Sequence, residues 1–355
     1  MQPSSSFPVE SRARRGSVVI FVLGVILLAV FLLTRLMDRA AVELAAENKA
    51  VRRAELRQEA VSALEASLAV LADYAAVDNG LHDPADGWGH PLEQMSYLPS
   101  PGVFAEVTVE DETGKLSLPQ ADEEQLAGYL EAIGCPATAT DRLVDALLTW
   151  TKPDHISLEG DGAEFLSAAL PYVAPQRALR SFEELRAIPA ARELFFDAQG
   201  RWSELGLRFR SGVSLFSFAA TNLNTAGAES LLAHGVDQAR LGTIADARRA
   251  RTQPGAAFRN ANELAGVWGP QGAPPGLGTE ALCLRVTTEV RQGGRGYRLD
   301  AWVARGGATG AARGPVPNGQ GTAPQVQEPV SVRNNPRNRL DYPFQILELR
   351  ENADN

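Results

Sequence analysis

Nineteen consecutive residues, Gly16 to Thr34, carry no charge, and Arg15 and Arg35 bracket them. As a helix this run rises roughly 28 Å, close to the thickness of a bilayer core. A cleavable secretory signal would have a shorter apolar stretch followed by a small-x-small cut site. Here the run ends in TRLMDRA, so removal by the ordinary signal peptidase is not expected. Arg12, Arg14 and Arg15 precede it, and the positive-inside tendency keeps the first fifteen or so residues in the cytoplasm and sends the rest across. In a two-membrane bacterium the bulk of the chain is then periplasmic.

The helical signal does not stop at the far side of the membrane. No Gly or Pro occurs from Val25 to Asn79, and the segment is rich in Ala, Leu, Glu and Arg, which predicts one very long helix. Val61, Leu64, Leu68 and Leu71 form an apolar stripe, with Arg57, Glu59 and Glu65 elsewhere. The outer half of the helix should therefore pack on a globular domain. A membrane-anchored enzyme on a helical stalk and an assembly subunit share these features.

Composition narrows the classes. The 43 acidic residues outnumber the 34 basic ones, and a net charge of -9 disfavours polyphosphate partners unless basic residues cluster locally. Four histidines leave little material for a catalytic or zinc centre. Cys135 and Cys283 have no metal-type or redox-type spacing and read equally as one disulfide or as two buried thiols.

Turn formers crowd GLHDPADGWGHPLE, Gly80 to Glu93, which ends the helix. Its His82, Asp83, Asp86 and His90 follow neither helix nor strand periodicity, so a polar surface loop is expected there rather than a metal site. Val103, Ala105, Val107 and Val109 alternate with Glu106 and Thr108 before a turn at Glu112 to Gly114, the pattern of a half-buried hairpin. From Ala121 to about Trp268 short helical patterns follow one another, which predicts an all-helical block over 121–276. Strands return at Leu282 to Val290 and at Tyr297 to Val303, joined by RQGGRG, and DYPFQILELR reads as a last strand beside the second of these. The Gly-, Ala- and Pro-rich tract at about 306–338 is expected to be a disordered loop. Residues 80–120 and 277–350 thus frame a sheet, with a helical domain inserted.

Inside that domain LRSFEELRAI (Leu179 to Ile188) and FRNANELAGV (Phe258 to Val267) match in pattern, and each predicts a capping box, from Ser181 with Glu184 and from Asn260 with Glu263. Thr221 to Ala250 reads as a helix-hairpin-helix unit turning at Gly235. Such hairpins can present backbone N–H groups to phosphate. Arg240, Arg248, Arg249, Arg251 and Arg259 make the vicinity basic, but AHGVD holds one Gly and an Asp at the turn, so a packing or protein-contact role is favoured. No enzyme site emerges: SGVSLFSF lacks the second Gly of a nucleophile elbow.

Taken in order, the basic leader with Gly16, the long helix, DETGKLSL, LVDALLTW, GDGAE, PYVAPQRALRSFEELRAI and NLNTA resemble the minor pseudopilin K family of bacterial type II secretion, also called general secretion pathway protein K. The resemblance covers most of the chain. It implies an α+β, pilin-like fold: a long N-terminal helix over 17–79, transmembrane at about 17–35, on a small antiparallel sheet with a large inserted helical domain of helix-hairpin-helix or SAM-like type. It also implies a cytoplasmic prepilin leader, residues 1–16, cut after Gly16 by prepilin peptidase, with methylation of the new terminus at Ser17. Members sit in the inner membrane and join the I- and J-type minor pseudopilins at the tip of a short periplasmic fibre, which initiates assembly and contacts exported proteins.

Most pilin-type subunits carry Glu at the fifth mature position, where this sequence has Phe21. A lone carboxylate in a bilayer costs roughly 2.5 to 3.5 kcal/mol on insertion scales, so it is kept only where it has a partner, and the K type is known for lacking it. The family also carries acids associated with calcium. Thr149, Thr151 and Lys152 stand in that neighbourhood here, leaving Asp154, Asp161 and Glu164 as calcium candidates. The competing reading is a membrane-anchored helix-hairpin-helix DNA-binding protein of the competence kind, and a further one is an anchored periplasmic hydrolase.

Overall fold

The computed structural model describes residues 13–157, 173–251, 253, 255–269, 272–305 and 344–353. The tract expected at about 306–338 as a loop, most of the leader, and Asp161 and Glu164 lie outside them. The first helix, α1, runs unbroken over Ala13–Val77, as the absence of internal Pro and of Gly beyond Gly24 requires. The chain divides into two units, Met1–Gln58 and Glu59–Asn355.

In the first unit, every residue from Val18 to Glu55 is exposed, including Ile20, Phe21, Leu27, Phe31 and Leu36. This is a helix long and apolar enough to cross a membrane. So many exposed large apolar side chains would be unfavourable in water, and lipid removes that cost.

In the second unit, the remainder of α1 packs on a four-stranded sheet. Its buried face is Ala60, Ala63, Leu64, Ser67, Val70, Leu71 and Ala75. Leu64 and Leu71 belong to the stripe expected from sequence, whereas Val61 and Leu68 are only half-buried. The centre of the face is made of small residues, and Ser67 spends its hydroxyl on the Ala63 carbonyl at 2.7 Å. These small side chains are fully covered, so burial along this face does not follow hydrophobicity.

The sheet has the order β1-β6-β7-β8, with β1 at Phe104–Asp111, β6 at Cys283–Gln292, β7 at Arg295–Arg305 and β8 at Phe344–Ala353, every pair antiparallel. The β6–β7 hairpin turns at Gly293 and Gly294, both at positive φ, as RQGGRG predicts. β8 lies beside β7, pairing Val303 with Ile346, as expected. One sheet face buries Leu284, Val286, Val290, Tyr297, Leu299, Ala301 and Val303. On the other, Cys283, Trp302 and Ala304 pack with Phe216 and Phe218.

The hairpin expected around Val103 to Leu118 does not form. β1 pairs instead with β6, Val109 opposite Val286, and Glu112–Gly114 is a 3-10 turn that carries the chain out of the sheet. Thr113 Oγ1 accepts from the backbone N–H groups of Leu282 (2.9 Å) and Cys283 (3.1 Å), which gives this turn a distant partner. The two-residue strand that follows, β2 at Leu116–Ser117, runs parallel to β3 at Val213–Ser214.

The insertion between β1 and β6 is helical but not all-helical. Besides β2 and β3 it contains a second short parallel pair, β4 at Thr221–Asn222 with β5 at Leu277–Gly278. Two-residue strands are too short to show a period of two, which is why the sequence pattern passes over them. One core gathers α3 (Glu123–Ala132), α4 (Ala137–Thr151) and the helices Pro189–Phe195 and Glu204–Gly212 around Leu126, Leu147, Phe195 and Phe209. A second gathers Leu223, Leu231, Ile244, Phe258 and Trp268. Cys135 belongs to the first core and Cys283 to the sheet; both are buried thiols outside any disulfide.

Two further expectations change. Residues 80–93 are not simply a surface loop, because Leu81, His82, Asp86 and Trp88 are buried. Of the two capping boxes, Asn260 with Glu263 forms, whereas Ser181 makes no side-chain cap. Glu184 still reaches back, to Arg180 N at 3.2 Å, but it is shared with the guanidinium of Arg177 at 3.0 Å.

Candidate functional site

The insertion is held on the sheet by Phe216 and Phe218, which pack on Cys283, Trp302 and Ala304, and by a group of polar residues. Thr221–Asn222 is fixed from behind by β5, through Thr221 N to Gly276 O and Leu223 N to Gly278 O, both 2.7 Å. That pairing aims the Asn222 side chain at the end of β1. Its Nδ2 donates to the Asp111 carboxylate at 2.7 Å and to the His82 carbonyl at 2.8 Å. Its Oδ1 accepts from the backbone N–H of Asn224 at 3.0 Å and from Asn224 Nδ2 at 3.2 Å. Asn224 Nδ2 in turn donates to the carbonyls of Phe258 (2.9 Å) and Thr279 (3.1 Å), and its Oδ1 accepts from Phe258 N (2.8 Å). Thr225 Oγ1 donates to Asp111 at 2.5 Å, and Thr113 N donates at 2.8 Å.

Asp111 is the unusual member. It is buried, its hydrogen-bond partners are neutral donors, and no cation pairs with it among the described residues. Burial raises its pKa to about 6, against the lowering by hydrogen bonds from Thr225, Thr113 and Asn222. Gly114 completes the joint, because a Cβ there would lie 2.6 Å from Thr225 Oγ1 and 2.9 Å from the Thr225 carbonyl carbon. Backbone must meet backbone at this point, so the residue cannot carry a side chain without movement.

This arrangement holds and orients; it has no nucleophile aligned with a base. Sequence reasoning missed Asp111, Asn222, Asn224 and Thr225 as a group, although DETG and NLNTA each stand out as polar runs beside apolar ones. The separation of 111 positions between Asp111 and Asn222 leaves no local signal.

The helix-hairpin-helix unit forms, with helices Ala228–Ala233 and Gln238–Arg249 and Gly235 at a φ of 76°. Its basic residues are engaged within the chain. Arg240 pairs with Asp237 at 3.3 Å, Arg249 with Asp246 at 2.5 Å, Arg251 with Glu263 at 2.7 Å and Arg259 with Asp78 at 3.4 Å. Arg248 donates inward to the carbonyls of Ala226 and Leu223. The hairpin amides of Gly235 and Val236 donate to Leu232 and Leu231. A phosphate would have to compete for every one of these donors.

The sequence-predicted site residues do not converge. Gly16 and Ser17 lie within the backbone of α1, and Phe21 is 71% exposed on it. Asp154 is exposed in the turn after α4. The other calcium candidates, Asp161 and Glu164, lie outside the described residues, and among the described residues no three His, Cys, Asp or Glu side chains gather for a metal. Nearby, Asp145 is occupied by His155 at 2.7 Å and Ser157 at 2.9 Å.

Residues 106–198 match the family model described as Type II secretion system (T2SS), protein K. Over this stretch, about a quarter of the chain, the sequence is similar to the protein K family. It takes in most of β1, the Asp111 and Gly114 side of the joint, α3, α4 and the helix Pro189–Phe195. Gly16, Ser17, Phe21 and Asn222 lie outside it. A chain of the GspK-GspI-GspJ complex from the enterotoxigenic Escherichia coli type 2 secretion system, known from its crystal structure, shares the fold with a TM-score of 0.56 at 14% identity. The likeness covers 87% of this chain and 99% of that one. No curated protein sequence matches. The protein K segment thus sits in a mixed α+β fold of the same kind.

Proposed function

We propose that the protein is a minor pseudopilin at the tip of a type II secretion pseudopilus. It initiates or caps fibre assembly together with I- and J-type minor pseudopilins and helps exported proteins cross the outer membrane. The observation that carries this reading is the protein K match over 106–198, within a fold shared with a chain of the GspK-GspI-GspJ complex. The role is structural rather than catalytic.

In this reading α1 anchors the chain once in the inner membrane, with the leader in the cytoplasm and the bulk in the periplasm, as Arg12, Arg14 and Arg15 favour. Prepilin peptidase removes residues 1–16 and methylates Ser17. The apolar half of α1, exposed from Val18 onward, passes from lipid into the fibre core. Phe21 at the fifth mature position supplies no carboxylate to neutralise the amino terminus of a neighbouring subunit, which suits a subunit with none above it. Coexpression with a prepilin peptidase tests the reading: the intact mass should fall by residues 1–16, and Gly16→Ala should block the change. An unaltered amino terminus in the wild type would count against it.

A further inference from the structure

We propose that the joint between the sheet and the inserted domain is a proton-linked latch, in which the Asp111 carboxyl, gripped by Asn222 and Thr225, takes up a proton as the joint closes. The proposal concerns this chain's own mechanics and does not depend on the secretion role.

The geometry comes first. Asp111 ends β1, while Asn222 and Thr225 belong to the segment that β5 fixes, so the carboxyl bridges two parts of the fold. Closing the joint strips it of water and gives it neutral partners only. A buried carboxylate held by neutral donors recovers part of its lost hydration, but without a cation its charge stays costly. Thr225 Oγ1, 2.5 Å away, serves either state: it donates to the carboxylate, and it accepts once the carboxyl is protonated.

The charged and titratable surroundings are few. Glu112 and Lys115 follow in the chain, and Lys115 pairs with Glu110 (2.8 Å) and Glu112 (3.0 Å). From β6, Cys283 is near enough to feel the charge of Asp111, its thiol pushed well up mainly by burial. From the loop after α1, His82 offers its backbone carbonyl while its ring bonds Thr279 O at 2.7 Å. The Asn222 to Thr225 segment adds no ionisable side chain.

The sign follows from the direction of the shift. The closed joint holds the Asp111 proton up to a pH of about 6, whereas an open, solvated Asp loses it near its ordinary value of 3.8. Closure is therefore strongest below pH 3.8, weakens as pH rises to about 6, and changes no further above that. Between pH 5 and 7.5 the opening equilibrium should rise about tenfold.

Hydrogen exchange on the full chain in detergent, corrected for intrinsic rates, reads this at the Thr221 and Leu223 amides. The expected result is that tenfold rise in the wild type and a flat profile in Asp111→Asn, which keeps the shape and a donor without the charge. A pH-independent wild type, or an unchanged slope in the variant, would overturn the latch. Should the variant fail to fold, infrared spectra of the wild type decide: a protonated buried carboxyl band present at pH 5 and gone at pH 7.5 supports the proposal, and its absence at pH 5 overturns it.

Discussion

The side-chain amide of Asn222 donates to the Asp111 carboxylate at 2.7 Å and, from the same nitrogen, to the carbonyl of His82 at 2.8 Å. One residue thereby ties β4 of the inserted domain to the end of β1 and to the chain that leaves α1. An inserted domain that hung on a flexible tether would present a different surface from moment to moment. This contact, with Asn224 and Gly114 beside it, gives the domain a defined seat.

Truncating Asn222 should therefore unseat it. Asn222→Ala leaves a buried carboxylate and a buried carbonyl each short of a donor, and loses about 2 to 4 kcal/mol in denaturant unfolding at neutral pH. Asn222→Asp places a second carboxyl against Asp111 and should cost more. A loss under about 0.5 kcal/mol for the alanine variant would mean that the contact does not hold the domain.

Gly114 and Gly242 should respond in opposite directions to alanine. At Gly114 the new Cβ meets Thr225 within 3 Å, so the backbones must separate at a cost of about 1 to 3 kcal/mol. At Gly242, inside the helix Gln238–Arg249, nothing lies within 4 Å, and alanine should stabilise by about 0.5 to 1 kcal/mol through helix propensity. Thermal unfolding of the two variants side by side gives the signs.

The helix face makes a similar contrast. Ala63 is fully buried, so Ala63→Leu forces α1 away from what it packs on and costs about 1 to 3 kcal/mol. Val61→Ala, at a half-buried site, should cost less. Reversal of that order, measured by urea unfolding, would contradict the packing described for α1.

Why such sites escape a reading of the sequence is itself physical. α1 was legible because a long segment without Pro has few alternatives, and the β6–β7–β8 meander because alternation and a glycine turn are local signals. β1 was legible as a strand but not in its partner, since the Glu112–Gly114 turn resembles a hairpin turn and Thr113 commits it to Leu282 and Cys283 instead. Ala60, Ala63 and Ser67 carry little hydrophobic signal, although they are as fully buried as Leu71. Asp111 and Asn222 are ordinary polar letters until folding brings them together. At Ser181 the matching letters do not bring a side-chain cap, although Glu184 reaches back to Arg180 N.

Asp300 gives a pH dependence opposite in sign to that of Asp111. Burial would raise its pKa, but hydrogen bonds from Arg298 and Thr287 and the charges of Arg285 and Arg298 bring it below the usual value. A lowered folded pKa means stability that is present above the ordinary Asp value near 4 and is lost as pH falls through the folded one. Asp300→Asn should thus be destabilising at pH 7 and less so at pH 3, below the ordinary Asp value. Unfolding free energies at the two pH values check this, and an equal loss at both would contradict the ion-pair account.

Native mass spectrometry of the full chain, coexpressed with prepilin peptidase and with I- and J-type minor pseudopilins, tests the proposed role as a tip pseudopilin most directly. The account predicts one complex containing all three subunits, with this chain shortened by residues 1–16. Recovery of this chain alone, while the other two remain associated with each other, would contradict it.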